Sequence, residues 1–96
     1  MRPSEALAKH RDEVLAILAK YPVSNPRVFG SVARGEDTEA SDLDLVVQIA
    51  GVMTLFDMAQ LGEDLAEQIG APVDVHSEKD FSERVLRRLE RSFKPL

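Results

Sequence analysis

Two aspartates one residue apart, Asp42 and Asp44, open the strongest strand-like run in the sequence, Asp42-Leu43-Asp44-Leu45-Val46-Val47-Gln48-Ile49. On a strand, residues two apart share a face, so these carboxylates stand side by side, about 7 Å apart at the backbone, while Leu43, Leu45 and Val47 face the other way. Like charges at the head of an apolar strand repel each other and resist burial, so they need water or a compensating cation. A divalent metal supplies that charge. Hard ions such as Mg²⁺ take carboxylate, water and phosphate oxygens, and a pair of ions about 4 Å apart can serve displacement at phosphorus, with two aspartates bridging them. Mn²⁺ accepts the same oxygen donors, so both ions remain open. A third acid, Asp74, lies between Val73 and Val75 in the short β-branched run Pro72–His76. If that run pairs beside Asp42 and Asp44, three carboxylates converge, and Asp74 is the candidate to stand near an attacking hydroxyl.

The other half of a phosphate-handling site is Gly30-Ser31, which follows the short strand Arg27-Val28-Phe29. Glycine at a strand end lets backbone approach a ligand, the N–H groups of the next turn favour phosphate oxygens, and Ser31 adds a hydroxyl donor. No Gly-Lys-Ser/Thr follows and no Gly-x-Gly-x-x-Gly is present, so neither a Walker loop nor a dinucleotide fingerprint is available. Arg34, near the acidic Glu36, Asp37 and Glu39, reads as a structural ion-pair partner, and Ser41 as a loop residue that bonds backbone. His76, on the same strand face as Asp74, could approach the site but reads more readily as a surface histidine at a strand end, and His10 has no chemical context.

Positioning these residues requires a small set of elements. A first helix runs from Ser4, its N-cap, to the break at Pro22, with Leu7, Val14, Leu18 and Tyr21 on one face. Ser24-Asn25-Pro26 reads as a turn before the first strand, and Ser31–Gly35 as one helical turn. Thr54-Leu55-Phe56-Asp57 has the form of a capping box, and Leu55, Met58, Leu61, Leu65 and Ile69 recur at helical spacing until Gly70 ends that helix. Phe81, Val85, Leu89 and Phe93 define a last amphipathic helix. The expected fold is α/β (α+β), a short mixed sheet with helices packed on it, in one domain over 1–96.

The chain has 96 residues, 44% hydrophobic and 30% charged, which suits a folded domain rather than disorder. It contains no cysteine, so thiolate sites and cysteine nucleophiles are excluded and any metal must take oxygen or histidine. No run is long and apolar enough for a membrane span, and Met1–Glu5 lacks the apolar stretch of a signal peptide, so a cytoplasmic protein is expected. A net charge of −5 opposes direct binding to nucleic-acid backbones.

The run Gly30-Ser31-Val32-Ala33-Arg34-Gly35, followed by Ser41-Asp42-Leu43-Asp44-Leu45, resembles the signature of the polymerase-beta-type nucleotidyltransferases, in the form used by the minimal nucleotidyltransferases. The resemblance spans roughly Pro26 to Phe93 and implies the fold of that superfamily. Such proteins often act as the antitoxin partner of a HEPN-domain ribonuclease encoded by a neighbouring gene, in a hetero-oligomer. Residue by residue, the resemblance implies that Gly30 and Ser31 bind the nucleotide triphosphate, Asp42 and Asp44 hold two Mg²⁺ ions, and Asp74 joins them and helps activate the acceptor. ATP is then the substrate, and AMP passes to a hydroxyl, a tyrosine of the toxin.

A domain this small has little surface left for an acceptor site of its own, which argues independently for a protein partner. Its candidate contact surfaces are the arginines of the last helix and the apolar Met53, Leu55, Phe56 and Met58. Two other functions compete: a non-catalytic module that neutralises its partner by occlusion, and a small-molecule transferase like the antibiotic-modifying nucleotidyltransferases, whose longer chains carry extra domains.

Overall fold

The computed structural model describes every residue, Met1–Leu96. Helices α1 (Pro3–Lys9) and α2 (Arg11–Leu18) lead into strand β1 (Val23–Phe29), a turn and strand β2 (Leu43–Ile49). Helix α3 (Leu55–Ile69), strand β3 (Val73–Ser77), a single 3₁₀ turn (Glu78–Asp80), helix α4 (Glu83–Glu90) and a two-residue strand β4 (Lys94–Pro95) complete the chain. The sheet runs β3-β2-β1-β4. Strands β1 and β2 are antiparallel, β2 and β3 parallel, and β4 lies antiparallel on the free edge of β1. The mixed sheet with helices packed on it matches the fold class expected from the sequence.

Alternation on β2 decides where the core lies. Leu43 and Leu45 are fully buried and join Val28, Val14, Leu18, Leu61 and Leu65 in one apolar cluster between sheet and helices. The residues between them, beginning with Asp44, therefore face away from that core. Helix α3 is held at both ends as its sequence requires. The Thr54 side chain accepts the Asp57 N–H while the Asp57 carboxylate accepts the Thr54 N–H, and Gly70 closes the helix at φ +73°. Within it, Gly62 lies so close to β3 that an added Cβ would stand 3.1 Å from the Val73 carbonyl oxygen.

Several sequence expectations need correction. The first helix is two, broken at His10, whose backbone (φ −112°, ψ 24°) is not helical. The break lets Pro3 and Ala6 on one piece and Val14 and Leu18 on the other all reach the core. Ser4 is not the N-cap, because Pro3 already opens α1 and Arg2 occupies the cap. Ser24-Asn25-Pro26 lies within β1 rather than before it. Asn25 at φ +51° and a register shift between Ser24 and Arg27 make an irregularity of the strand out of turn-forming residues.

The C-terminal stripe also divides. Ser82 caps α4 by accepting the Val85 N–H, which leaves Phe81 extended outside the helix, and Phe93 lies beyond its other end. Those two phenylalanines pack on Phe29, whereas Val85 is 45% exposed and α4 buries none of its residues fully. Leu55, at helical spacing with the core residues of α3 and also a candidate contact residue, is 89% exposed. Strand β4 has no sequence signature, being two residues long and ending in proline, a residue tolerated only at such an edge.

Candidate active site

The register of the three long strands assembles the site. Asp44 is the partner of Asp74 across β2 and β3, and of Phe29 across β2 and β1. Asp42 precedes β2 by one residue and is exposed, Asp74 is exposed, and Asp44 between them is partly buried. The Asp44 carboxyl is pushed up from its ordinary value, first by burial and then by the charges of Asp74 and Asp42, while His76 pulls it the other way. The sequence reading thus placed all three acids correctly on one side of the sheet.

Gly30 ends β1 beside them. Its φ of +76° is a conformation that side chains rarely adopt, and a Cβ there would meet the Asp44 Oδ2 at 2.8 Å. Only glycine lets the turn lie against that carboxylate. Beyond it the chain closes a turn in which the Arg34 N–H donates to the Gly30 carbonyl at 3.2 Å and the Glu36 N–H to the Ser31 carbonyl at 2.9 Å. The N–H groups of Ser31 and Val32 donate to no backbone carbonyl, as a cradle for phosphate oxygens requires. The structure therefore brings Gly30, Ser31, Asp42, Asp44 and Asp74 to one end of the open sheet face.

Arg34 pairs with Glu36 at 3.1 Å on the surface, and the Ser41 Oγ accepts the Thr38 N–H at 2.8 Å, both in the structural roles read from the sequence. His76 is not the surface residue expected. It is half-buried, its ring 5.6 Å from Phe29 and 5.4 Å from Phe81, on the face that carries Asp44 and Asp74. Its alternation with Asp74 was visible in the sequence, but the phenylalanines that enclose it come from distant segments.

Two further residues had no sequence signal. Asp37, 3% exposed, accepts the Ser4 N–H at 2.9 Å, tying the loop after the Gly30 turn to the start of α1. Arg27 pairs with Glu78 and lies over the Phe93 ring, 5.1 Å from its centre, fastening β1 to the C-terminal segment.

Whether these residues suit a divalent cation can be judged from the donor set. No three acidic or histidine side chains are gathered closely enough to hold a metal ion as they stand. Asp42, Asp44 and Asp74 nevertheless share one face, and the Asp44 carboxyl is raised first by burial and then by the charges of Asp74 and Asp42, with His76 acting the other way. Carboxylate oxygens with an uncompensated charge fit a hard cation that also takes phosphate and water.

Comparison with known proteins agrees with this geometry. The model of the nucleotidyltransferase domain family matches residues 7–94. A proposed protein adenylyltransferase of Methanocaldococcus jannaschii is 38% identical over 63 residues, covering 66% of this chain and 68% of the relative. The solved structure of a proposed minimal nucleotidyltransferase superimposes with a TM-score of 0.85 at 41% identity, covering 97% of this chain and 95% of that one. A chain from the complex of tri-AMPylated Shewanella oneidensis HEPN toxin with MNT antitoxin shares the fold, with a TM-score of 0.70 at 17% identity over 92% of this chain and 69% of that one. With the Gly30 turn, the strand-borne acids and the family match over nearly the whole chain in agreement, this protein belongs to the nucleotidyltransferase family, is similar to its minimal members, and is a nucleotidyltransferase enzyme.

Proposed function

We propose that this protein transfers AMP from ATP to a side-chain hydroxyl, a tyrosine, of a partner HEPN-domain toxin, and acts as its antitoxin through one nucleotidyltransferase domain over 1–96. The observation that carries this reading is the pairing of Asp44 with Asp74 beside Gly30, which sets carboxylates next to a turn with free backbone N–H groups. The relative named as a protein adenylyltransferase and the fold-level likeness to an antitoxin bound to an AMPylated HEPN toxin support the choice of acceptor.

In this reaction the N–H groups after Gly30 and the Ser31 hydroxyl bind the triphosphate and present its α-phosphorus to the acids. Asp42, Asp44 and Asp74 would hold two Mg²⁺ ions, which when bound neutralise phosphate charge and make the acceptor hydroxyl more acidic. The hydroxyl oxygen attacks the α-phosphorus in line and its proton passes to Asp74. The bond from the α-phosphorus to the bridging oxygen breaks, and pyrophosphate leaves with that electron pair. The hetero-oligomer with the partner supplies the acceptor that a chain of this size has no room to enclose.

Incubating the protein with the HEPN product of its neighbouring gene, ATP and Mg²⁺, then weighing both intact chains, tests the reading. Whole AMP units should appear on the partner and be absent with Asp42→Asn/Asp44→Asn. A stable, neutralising complex without any mass gain would instead establish occlusion.

A further inference from the structure

Three large apolar side chains stand almost fully in water: Val52 and Leu55 are each 89% exposed and Phe56 is 87% exposed. Leu55 and Phe56 are the first two residues of α3, and the reciprocal Thr54–Asp57 cap fixes the turn that carries them. Apolar side chains held rigidly in solvent have little to gain in the free protein and lose little freedom when covered.

Their position relative to the acids gives the patch a direction. One groove, of about 330 Å³, is lined by Leu55, Met58 and Val75, with Lys79 and Asp80 as an opposed pair of charges at its wall. A second, of about 440 Å³, shares Met58 and Val75 and continues between α3 and β3 to Asp74. Ala59, Gly62 and Ala66 recur at i, i+3 and i+7 along its helical wall, where the buried Gly62 lets α3 lie close against β3 and the flanking alanines keep the wall low. Strand β3 is the edge of the sheet on that side. The only charged residues lining the second groove, Glu63 and Asp74, are both acidic.

Resting on the proposed transfer of AMP to a protein, we infer that the surface from Leu55 and its neighbour Phe56 past Met58 and Val75 to Asp74 is where the acceptor protein docks. Its occupant is a segment of the partner with apolar anchors for Leu55 and Phe56 and basic rather than acidic residues along the trough, and its acceptor hydroxyl lies at the Asp74 end. Glu63 and Asp74 favour a basic over an acidic segment in the second groove. The patch and the acids are thus two ends of one acceptor site, with anchoring at α3 and chemistry at β3.

Photo-crosslinking from benzoylphenylalanine placed at position 56, with the HEPN partner and a nonreactive ATP analogue, reads docking without catalysis. The expected product joins position 56 to the partner near the residue that becomes AMPylated. In parallel, Leu55→Ser/Phe56→Ser should lower kcat/KM for the partner at least about 10-fold, as loss of central apolar anchors does, with calorimetric affinity for the ATP analogue unchanged. Wild-type kcat/KM in that variant, or a crosslink joining two copies of this chain, overturns the inference. A partner crosslink from position 56, with no AMP transferred by the wild-type protein, would leave docking in place and remove the transferase reading.

Discussion

The two faces of β2 are made from one stretch of chain and do opposite work. Leu43, Leu45 and Val47 are fully buried, the first two in the cluster beneath the helices, while Asp44 between them faces the open side with Asp74 in register beside it. The first face is apolar and closed, so its contribution is burial, and removing atoms from it costs stability. The second is charged and open at one end, so its contribution is a local surplus of negative potential, which costs stability and serves chemistry. A period of two residues is enough to separate them.

The sharpest way to break this division is to exchange the effects of neighbouring residues. Asp44→Asn should reduce AMP transfer by about three orders of magnitude, since a ligand of a phosphoryl-transfer metal site accounts for several kcal/mol of transition-state stabilisation. The same variant should be more stable than the wild type near neutral pH. The folded-state carboxyl of Asp44 is raised, so the native protein holds its proton more tightly than the unfolded chain, and ionising it costs stability as pH rises. That advantage should vanish below the ordinary carboxylate value of 3.8, where the wild-type group is protonated in both states. Denaturation by urea at several pH values, without divalent cations, checks it.

Leu45→Ala, one residue along, should do the reverse. Leu45 is fully buried, and its truncation should cost about 2–5 kcal/mol in urea unfolding, with kcat per folded molecule nearly unchanged. Loss of transfer at full stability in this variant would mean that the faces are coupled and the division is wrong.

Gly30→Ala tests the boundary between them. A Cβ at φ +76° is strained by about 1–2 kcal/mol, and it would collide with the Asp44 Oδ2 that lies 2.8 Å away. We expect both a modest loss of stability and a loss of transfer larger than the stability change explains. An activity loss that disappears when stability is restored by osmolyte would make Gly30 a turn residue and nothing more.

Most of the acid face was legible because its signals are local. Alternation placed Asp42 and Asp44, the strand pattern around Asp74 placed the third carboxylate, and the turn chemistry of Gly30-Ser31 marked the end of β1. The capping box and Gly70 fixed α3 for the same reason, since each end is decided by residues within four positions. What failed was decided by distant contacts. His76 looked like a surface residue because Phe29 and Phe81, which flank it, and Phe93, which packs on Phe29, come from distant segments of the chain. Asn25-Pro26 has turn chemistry, but pairing with β2 on both sides of it absorbed the turn into a strand. The break at His10 and the pairing of β4 likewise depend on what the rest of the sheet presents.

Asp37 offers the finest test, because it is an aspartate on the stabilising side of the comparison. Burial alone would raise its carboxyl, but the Ser4 N–H and the nearby Arg2 charge more than offset that, and the group is held below its ordinary value of 3.8. An acid lowered in the folded state stabilises above the unfolded value and loses that contribution as pH falls through the folded one. Its sign is opposite to that of Asp44. Asp37→Asn should therefore cost about 1 kcal/mol near pH 7, as loss of a charged acceptor at the first turn of a helix does, and cost progressively less as the solution is acidified below 3.8. Transfer activity should be retained once folding is complete. If Asp37→Asn and Asp44→Asn shifted stability in the same direction across that pH range, the distinction between a charge stabilised at one oxygen by the Ser4 N–H, its Oδ1 buried without a partner, and one left for a cation would not hold.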